Sequence, residues 1–560
     1  MALADLILTE GKIITLDAGS RIAEAVAAKD GRIVAVGRAD EVRALAGPGT
    51  REIALGGRAA IPGLNDAHAH MDREGLKGVF PSLAGCASID DVLQCIEALV
   101  KAAAPGEWVV TMPIGDPPFY WDVPNNLREK RMPTRWELDR VSPDNPVYIR
   151  PIWGYWRHIL PIVSVANSRA LAAAGVTRDT PDPCDVVTIE RDGSGEPTGV
   201  FVENTYAPVV ELAFFREMPR FRHEHRVAGI RQAMRIYNTT GTTSVFEGHG
   251  AAQELIAAYQ DVRRSGAATV RATLSYSTAW GAAGEPDPVK MLPAWLAWLG
   301  RGGLGDDWLR VETLNVLPDI LDEHRLRARA APYTGWSGFN YDSGVAKARI
   351  VEFMVAAAQN DIRVVALASS NPLPDFVAAD KVTPLAGRRW SLGHISTLTP
   401  AEEDTIARLG LVVTTHTNNY VYKTGHLAKR RLGPERENEI SPVRSLLDRG
   451  VKLALATDNV PTTLWWPIWQ VIARKSLVTG EVIAPDQRVD RETALRLATQ
   501  GGAYLTGEED RKGAIAEGML ADMAVLSADP LTCPEDAIKD IVAETTVVGG
   551  KVVYERGGAA

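Results

Sequence analysis

The chain has 560 residues, 46% of them apolar and 23% charged, which is typical of a folded globular protein and excludes a predominantly disordered chain. At about 150 residues per domain, this length predicts three or four domains or one elaborated α/β barrel. The net charge is −9 with both signs scattered along the chain, so we expect no surface for nucleic acid or an anionic membrane. The expected partner is a small molecule.

Both ends of the chain show the alternation of apolar and polar residues that is typical of β-strands. The amino-terminal end contains LILTEGKIITLD and IAEAVAAKDGRIVAVG, and the carboxyl-terminal end contains LADMAVLSADP and TTVVGGKVVYE. Glycine or aspartate closes these runs, as tight turns require. We therefore expect the two ends to share one sheet.

Between the ends, short β-rich runs alternate with helical stretches. Eight runs have strand character: AAIPGLNDAHAH, TTSVFEGH, ATVRATLSY, RVETLNVLP, IRVVALASS, RWSLGHIS, GLVVTTHTNN and KLALATDN. This alternation predicts parallel βαβ units, and eight of them predict a closed (β/α)8 TIM barrel over residues 61–505. Residues from about 75 to 225 are too many for one crossover, so they are predicted to form an insertion after the first strand, beside the active site.

Ionisable residues follow the apolar part of several predicted strands. His68 and His70 end the first run, and positions i and i+2 of a strand point to the same side. Later strand ends carry five more such residues: Glu247, His249, His394, His416 and Asp458. The carboxyl ends of barrel strands meet at one face, where catalytic groups collect, so this pattern predicts a metal site.

These motifs resemble the amidohydrolase superfamily of metal-dependent hydrolases, in particular the branch that includes N-substituted formamide deformylase. PGLNDAHAH is similar to the family's first-strand metal motif, and the branch's insertion resembles NSRALAAAGVTRDTPDP with IERDGSGEPTGVFVE. GMLADMAVLSADPL and TTVVGGKVVYE are similar to its terminal β-sandwich. The resemblance extends over nearly the whole chain and implies a sandwich formed from residues 1–60 and 506–560.

The resemblance also implies a set of metal ligands. Four residues match family ligands: His68, His70, His394 and Asp458. Asn315 and Leu367 stand where relatives have a bridging lysine on the fourth strand and a histidine on the fifth, which argues against a second ion. Glu247 is expected to be a further ligand, the alternative being that it orients a ligating histidine. One divalent ion is therefore predicted, zinc in the first place, with manganese or iron as alternatives.

The predicted reaction is hydrolysis of a non-peptide C–N bond by a metal-activated water molecule. Asp458 would accept the proton of the water and pass it to the departing amine, and His416 would donate to the developing oxyanion. Five residues are predicted to contact the substrate: His158, His249, Asn418, Trp153 and Trp465. Tryptophans are concentrated in the insertion and after the eighth strand, which favours an amide, N-formyl or carbamoyl derivative of an apolar or aromatic amine.

Two other classes of function stay open. The same metal could support deamination, ester or lactone hydrolysis, hydration or decarboxylation. A catalytically silent binding protein on the same fold is the other alternative.

The expected compartment is the cytoplasm. The four cysteines form no CxxC pair, which favours reduced thiols. The amino terminus lacks the basic start of a signal peptide, and no run reaches the ~18 apolar residues of a membrane helix, so no membrane partner is expected. Family resemblance implies a homo-oligomer.

Overall fold

The structure, a computed structural model, describes residues 3–117, 120, 122–153, 156, 159–280, 287–318 and 321–558. Within these ranges, eight parallel barrel strands follow one another in chain order: Leu64–Asp66, Thr242–Ala251, Arg271–Tyr276, Leu309–Asn315, Arg363–Leu367, Ser391–Gly393, Val412–Thr415 and Lys452–Leu455. The first and eighth strands meet just beyond their ends, where Ala67 N–H donates to the Leu455 carbonyl at 3.1 Å and Asp458 N–H donates to the His68 carbonyl at 2.9 Å. The predicted TIM barrel is confirmed.

Helices cover the outside of this barrel. In chain order, the principal helices of the barrel region are Met71–Leu76, His223–Asn238, Gln253–Arg264, Pro288–Trp295, Asp322–Ala328, Ile350–Gln359, Leu373–Asp380, Pro400–Leu409, Gly425–Leu432, Val443–Asp448, Trp465–Ala473 and Arg491–Leu505. Local sequence sets their ends, as Pro400–Leu409 illustrates. Thr399 and Glu402 form a reciprocal capping box at its start, and Gly410 ends it with a φ of 65°. The main apolar core lies between these helices and the strands.

Both chain ends form a β-sandwich beside the barrel. One sheet contains Leu6–Thr9, Ala25–Lys29, Arg32–Gly37 and Arg51–Ala54. The other contains Lys12–Ile14, Ile22–Ala23, Ala59–Pro62, Met523–Leu526, Ala543–Val548 and Lys551–Glu555. Met523–Leu526 pairs antiparallel with Ala59–Pro62, which leads directly into the first barrel strand. The expectation that the two ends share a sheet is confirmed.

The predicted insertion contains an α/β layer of its own. Its mixed sheet contains Val109–Thr111, Val147–Ile149, Ile162–Ala166, Val187–Arg191 and Pro197–Glu203. Its helices are Ile89–Ala102, Arg135–Val141, Ser168–Ala173 and Val210–Ala213. The apolar core of this layer includes Trp153 and Trp156 together with Phe339 and Val460 from loops that follow barrel strands. The insertion therefore packs over the carboxyl face of the barrel.

Shorter elements connect these layers. They are the helix Ala39–Arg43, the 3-10 helices Ala297–Gly302, Lys347–Arg349, Ala368–Ser370, Pro434–Glu439, Pro485–Gln487 and Glu535–Asp540, the strands Leu304–Gly305, Leu317–Pro318 and Gly344–Val345, and the π-helix Asn418–Lys423. Within the described ranges, we find no helix with the length and apolar content needed to cross a bilayer.

Candidate metal centre

Five predicted side chains from the strand ends meet inside the mouth of the barrel: His68, His70, His394, His416 and Asp458. All five are at most 5% exposed. His70 Nε2 lies 3.0 Å from Asp458 Oδ1, and His68 Nε2 lies 3.8 Å from the same oxygen and 3.2 Å from His394 Nε2. Three overlapping sets each bring three ligand atoms within 4.8 Å of one another: His68 with His70 and Asp458, His394 with His416 and Asp458, and His68 with His249 and His394.

The backbone is in the left-handed region at two of these positions. His394 has a φ of 63° and Asp458 a φ of 53°, and both follow a barrel strand closely. This conformation is uncommon for residues other than glycine and costs of the order of 1–3 kcal/mol. Such strain collects at functional sites, because the surrounding fold can hold a side chain in a position that an unstrained backbone would not give it.

Burial keeps most of the imidazoles neutral. It lowers the pKa of His68 and His249 well below the ordinary value, lowers the pKa of His394, and lowers the pKa of His416 to about 3. Burial acts to raise the pKa of Asp458, but the hydrogen bond from His70 and the neighbouring imidazoles hold that pKa well below its usual range. His70 differs, because burial acts to lower its pKa but its hydrogen bonds with Asp458 and Glu247 raise it, so its Nε2 carries a proton that a metal ion would displace. The other imidazoles are neutral beside an ionised carboxylate, as metal binding requires.

Two further features fit a bound cation. His68 Nε2 and His394 Nε2 face each other at 3.2 Å, a distance at which two lone pairs repel unless a proton or a cation lies between them. Among the described residues, neither ring nitrogen of His416 has a hydrogen-bond partner, and the same holds for Asp458 Oδ2. Buried polar atoms without partners are uncommon, so these atoms are available as ligands or for a substrate. Imidazole and carboxylate donors suit zinc, manganese or iron.

Glu247 lies behind His70 and is absent from the three sets of grouped ligand atoms. Its Oε2 is 3.4 Å from His70 Nδ1, while its Oε1 accepts hydrogen bonds from Met71 N–H at 2.8 Å and from the Tyr259 hydroxyl. The carboxylate therefore holds the Nδ1 side of the ring and leaves Nε2 directed at Asp458. This placement differs from the predicted ligand role and corresponds to the alternative, an acceptor that orients a ligating histidine.

Two polar side chains outside the predicted set of site residues join the ends of the first and eighth strands. Asp66 accepts hydrogen bonds from the backbone N–H groups of Thr457 at 3.0 Å and His68 at 3.2 Å. The side-chain oxygen of Asn459 accepts the His70 N–H at 2.8 Å, and its amide donates to the His70 carbonyl. Both residues adjoin predicted ligands in NDAHAH and ATDN, so their position next to the motifs was the available signal.

Two of the predicted substrate contacts lie beside the centre. His249 is buried, and its ring stacks on Phe339 with 4.5 Å between ring centres. Because His249 also belongs to one of the three ligand sets, it faces the centre. Trp153 is buried under Arg73, whose guanidinium carbon is 5.0 Å from the centre of the indole ring.

The other predicted substrate contacts are placed differently. The Asn418 amide donates to two backbone carbonyls of the loop after the eighth strand, at 3.1 and 2.6 Å, so it braces that loop. Trp465 is buried in the main barrel core, and its indole N–H donates to the Thr240 carbonyl at 3.0 Å. Both side chains thus make structural hydrogen bonds, while the side-chain oxygen of Asn418 has no partner among the described residues, and the two substrate contacts stay predictions. His158 lies outside the described residues.

The fourth and fifth strands end in side chains without a basic ligand atom. Asn315 is buried at the end of the fourth strand, and neither atom of its amide has a partner among the described residues. Leu367 ends the fifth strand and is also buried. Neither side chain can supply a bridging carbamate or an imidazole.

Comparisons with known proteins agree with this architecture. The sequence model described as the amidohydrolase family matches residues 51–554. N-substituted formamide deformylase of Arthrobacter pascens is 27% identical over 99% of this chain and 99% of its own length. An uncharacterized metal-dependent hydrolase from Pyrococcus horikoshii superposes with a TM-score of 0.67 at 19% identity, over 95% of this chain and 99% of that one. An adenosine deaminase from Xanthomonas campestris with bound zinc superposes with a TM-score of 0.50 at 18% identity, over 99% of this chain and 94% of that one.

Proposed function

The chain belongs to the amidohydrolase family, as a metal-dependent hydrolase of carbon–nitrogen bonds other than peptide bonds, and from that premise we propose that it cleaves an amide, N-formyl or carbamoyl derivative of an apolar or aromatic amine. The observation that carries this proposal is the buried cluster of imidazoles around an ionised carboxylate at the carboxyl ends of the barrel strands. In barrels of this kind, that face carries the catalytic groups.

We propose that one divalent ion, zinc in the first place, binds between four of these side chains: His68, His70, His394 and Asp458. Support comes from the short distances between their ligand atoms and from the absence of basic ligand atoms on Asn315 and Leu367. When bound, such an ion lowers the pKa of a coordinated water molecule and polarises the carbonyl group of the substrate.

The protein's own groups then move the protons. Asp458 is ionised, and its Oδ2 has no hydrogen-bond partner among the described residues, so this oxygen can accept a proton from the attacking water. As the C–N bond breaks, the same proton passes from Asp458 to the nitrogen of the departing amine. His416 Nε2 lies 3.8 Å from Oδ2, and the neutral ring can donate its N–H to the carbonyl oxygen as negative charge develops there.

The surroundings of the cluster favour an apolar substituent on the substrate. Trp153 and Trp336 belong to the apolar core that joins the insertion to the barrel face, and Phe339 in the same core stacks directly on His249. Aromatic walls beside a small number of polar groups are typical of small-molecule sites.

The test combines metal analysis with a substrate panel. Purified protein is expected to hold about one equivalent of metal, and zinc-loaded protein should release formate from N-benzylformamide. A chelator should abolish this activity and added zinc should restore it, whereas Asp458→Asn should abolish turnover. Formate release that persists after complete metal removal would contradict the proposal. Turnover of a nucleoside amine or an ester in place of every amide would favour the alternative reactions.

A further inference from the structure

Arg73 is a buried cation without a carboxylate partner beside the metal centre. It lies in the helix Met71–Leu76, three residues after His70, and is 5% exposed. Its Nε and Nη2 both donate to the carbonyl of Ser337, at 3.1 and 2.7 Å. A guanidinium has five N–H donors, so three of them find no partner within the described part of the chain. The adjacent Asp72 attracts Arg73 but makes no hydrogen bond to it within the described residues, and it pairs with Arg226 at 2.8 Å.

Each of the other buried arginines within the described ranges has a carboxylate partner or three oxygen acceptors. Three of them pair with a carboxylate: Arg150 with Glu211, Arg226 with Asp72, and Arg271 with Asp522. Two more each have three oxygen acceptors: Arg327 with Pro208, Ala207 and Thr205, and Arg474 with Ile483, Ser441 and Ile440. Arg73, in contrast, donates to a single acceptor, the carbonyl oxygen of Ser337. An ionised group is costly to bury without compensation, so its environment is incomplete without an anion.

The guanidinium of Arg73 lies close to the metal-facing imidazoles. Its carbon atom is 5.0 Å from the ring centre of Trp153 and 5.9 Å from that of Phe339. Phe339 in turn stacks on His249 at 4.5 Å, and the ring of His249 is 6.2 Å from that of His70. A single aromatic ring, that of Phe339, therefore lies between the guanidinium and His249. One small molecule can span this separation.

We propose that Arg73 binds a carboxylate of the substrate, so that the preferred substrate is an N-acylated compound that carries both a carboxylate and an apolar group. This inference rests on the proposed function for the position of the scissile bond. The planar fork of a guanidinium matches the two oxygens of a carboxylate. The two aromatic rings fix the plane of the guanidinium and provide contacts for the apolar part of the substrate.

A matched pair of substrates tests the proposal on zinc-loaded protein. N-formylphenylalanine, in both enantiomers, and N-formyl-2-phenylethylamine differ only in the carboxylate. A hydrogen bond to a charged group would form with the anionic substrate alone, so kcat/KM for one enantiomer of this substrate should exceed that for the neutral one by about 10- to 100-fold. Arg73→Met should abolish this preference, as measured by the ratio of kcat/KM for the anionic and the neutral substrate. Arg73→Lys, which keeps the charge but not the fork, should retain part of it.

Binding of phenylacetate to the same zinc-loaded proteins, measured by calorimetry, separates the two proposals. If neither formamide is hydrolysed but phenylacetate binds at least tenfold more weakly to Arg73→Met, the anion site stands and the proposed function fails. If the wild type hydrolyses both formamides equally and phenylacetate binds both proteins alike, the inference is overturned and the proposed function stands. Should Arg73→Met fail to fold, as judged by circular dichroism, the wild-type preference and Arg73→Lys still decide the question.

Discussion

Replacement of Glu247 by glutamine is expected to weaken metal binding without removal of a ligand. In the wild type, Glu247 Oε2 lies 3.4 Å from His70 Nδ1, which holds a proton on Nδ1 and makes Nε2 the nitrogen that binds a metal ion. Met71 N–H and the Tyr259 hydroxyl both donate to Oε1, so glutamine would keep its oxygen there and place its NH₂ group against His70. That NH₂ favours the other tautomer, in which Nε2 carries the proton.

The size of the effect follows from the groups involved. Replacement of the hydrogen-bond partner of a ligating histidine typically costs 10- to 100-fold in metal affinity, or about 1.4–2.8 kcal/mol. A hydrogen bond to a charged group contributes about 1.5–3 kcal/mol, which is the same range. We therefore expect Glu247→Gln to raise the Kd for zinc by about 10- to 100-fold.

Competition with a chromophoric chelator at fixed pH measures that Kd. Tyr259→Phe is the matched control, because it removes one donor to Glu247 but leaves the carboxylate that faces His70. Its effect on the Kd should stay below about fivefold. Circular dichroism should show the same secondary structure in both variants.

Two results would refute this reasoning. Wild-type zinc affinity in Glu247→Gln would show that the carboxylate does not set the tautomer of His70. A loss of more than about 1,000-fold, equal to that of His70→Ala, would show that Glu247 is itself a ligand.

Three further predictions concern stability. Burial raises the pKa of Glu203 from 4.5 to about 7, so ionisation penalises the folded state as the pH rises from about 4.5 to 7. In urea unfolding, the free energy of unfolding of Glu203→Gln minus that of the wild type should therefore increase by about 2 kcal/mol between pH 5 and pH 8. Asp522→Asn breaks a buried ion pair with Arg271 and should cost about 3–5 kcal/mol in the same measurement at pH 7. A Cβ at Gly75 would lie 1.9 Å from the Gly229 carbonyl oxygen, whereas a Cβ at Gly229 finds its nearest atom at 3.3 Å. Thermal unfolding should therefore show a loss of about 3 kcal/mol or more for Gly75→Ala and of at most about 1 kcal/mol for Gly229→Ala.

Each of these expectations has a control or a contradicting result. A difference between Glu203→Gln and the wild type that does not change with pH would contradict the burial argument. Glu544→Gln removes one member of an ion pair with a largely exposed arginine and should cost less than about 1 kcal/mol. A loss as small as this in Asp522→Asn would contradict the role given to its ion pair with Arg271. Equal losses for Gly75→Ala and Gly229→Ala would contradict the close approach of the two helices.

The barrel and the terminal sheet were predictable because their signals are local and periodic. Short apolar runs that alternate with helical stretches predict parallel strands, and the strands meet in the expected order. The same rule brings the strand-end residues together. His68 and His70 share a side of the first strand, and His394 and Asp458 end strands whose carboxyl ends meet at the same face.

The roles of neighbouring polar residues were not predictable in this way. Glu247 and His249 lie two positions apart on one strand, yet they have different roles. The Glu247 carboxylate contacts His70 from behind, whereas the His249 ring faces the centre. Asn418 and Trp465 follow barrel strands, but their donors bind backbone carbonyls of other segments. Side-chain direction beyond a strand end depends on what packs there, and sequence spacing does not contain that information.

The sequence by itself determined the fold class, the family resemblance and the set of residues available to a metal ion, because strand periodicity and short motifs are written in consecutive residues. Only the tertiary structure decided which groups are ligands in reach of one another and which support them. It also revealed the charge of Arg73 between Trp153 and Phe339, residues that are far apart in the chain. Burial, lone pairs that face each other and unmatched charge arise only when distant segments pack, and these are the properties from which the chemistry of the site follows.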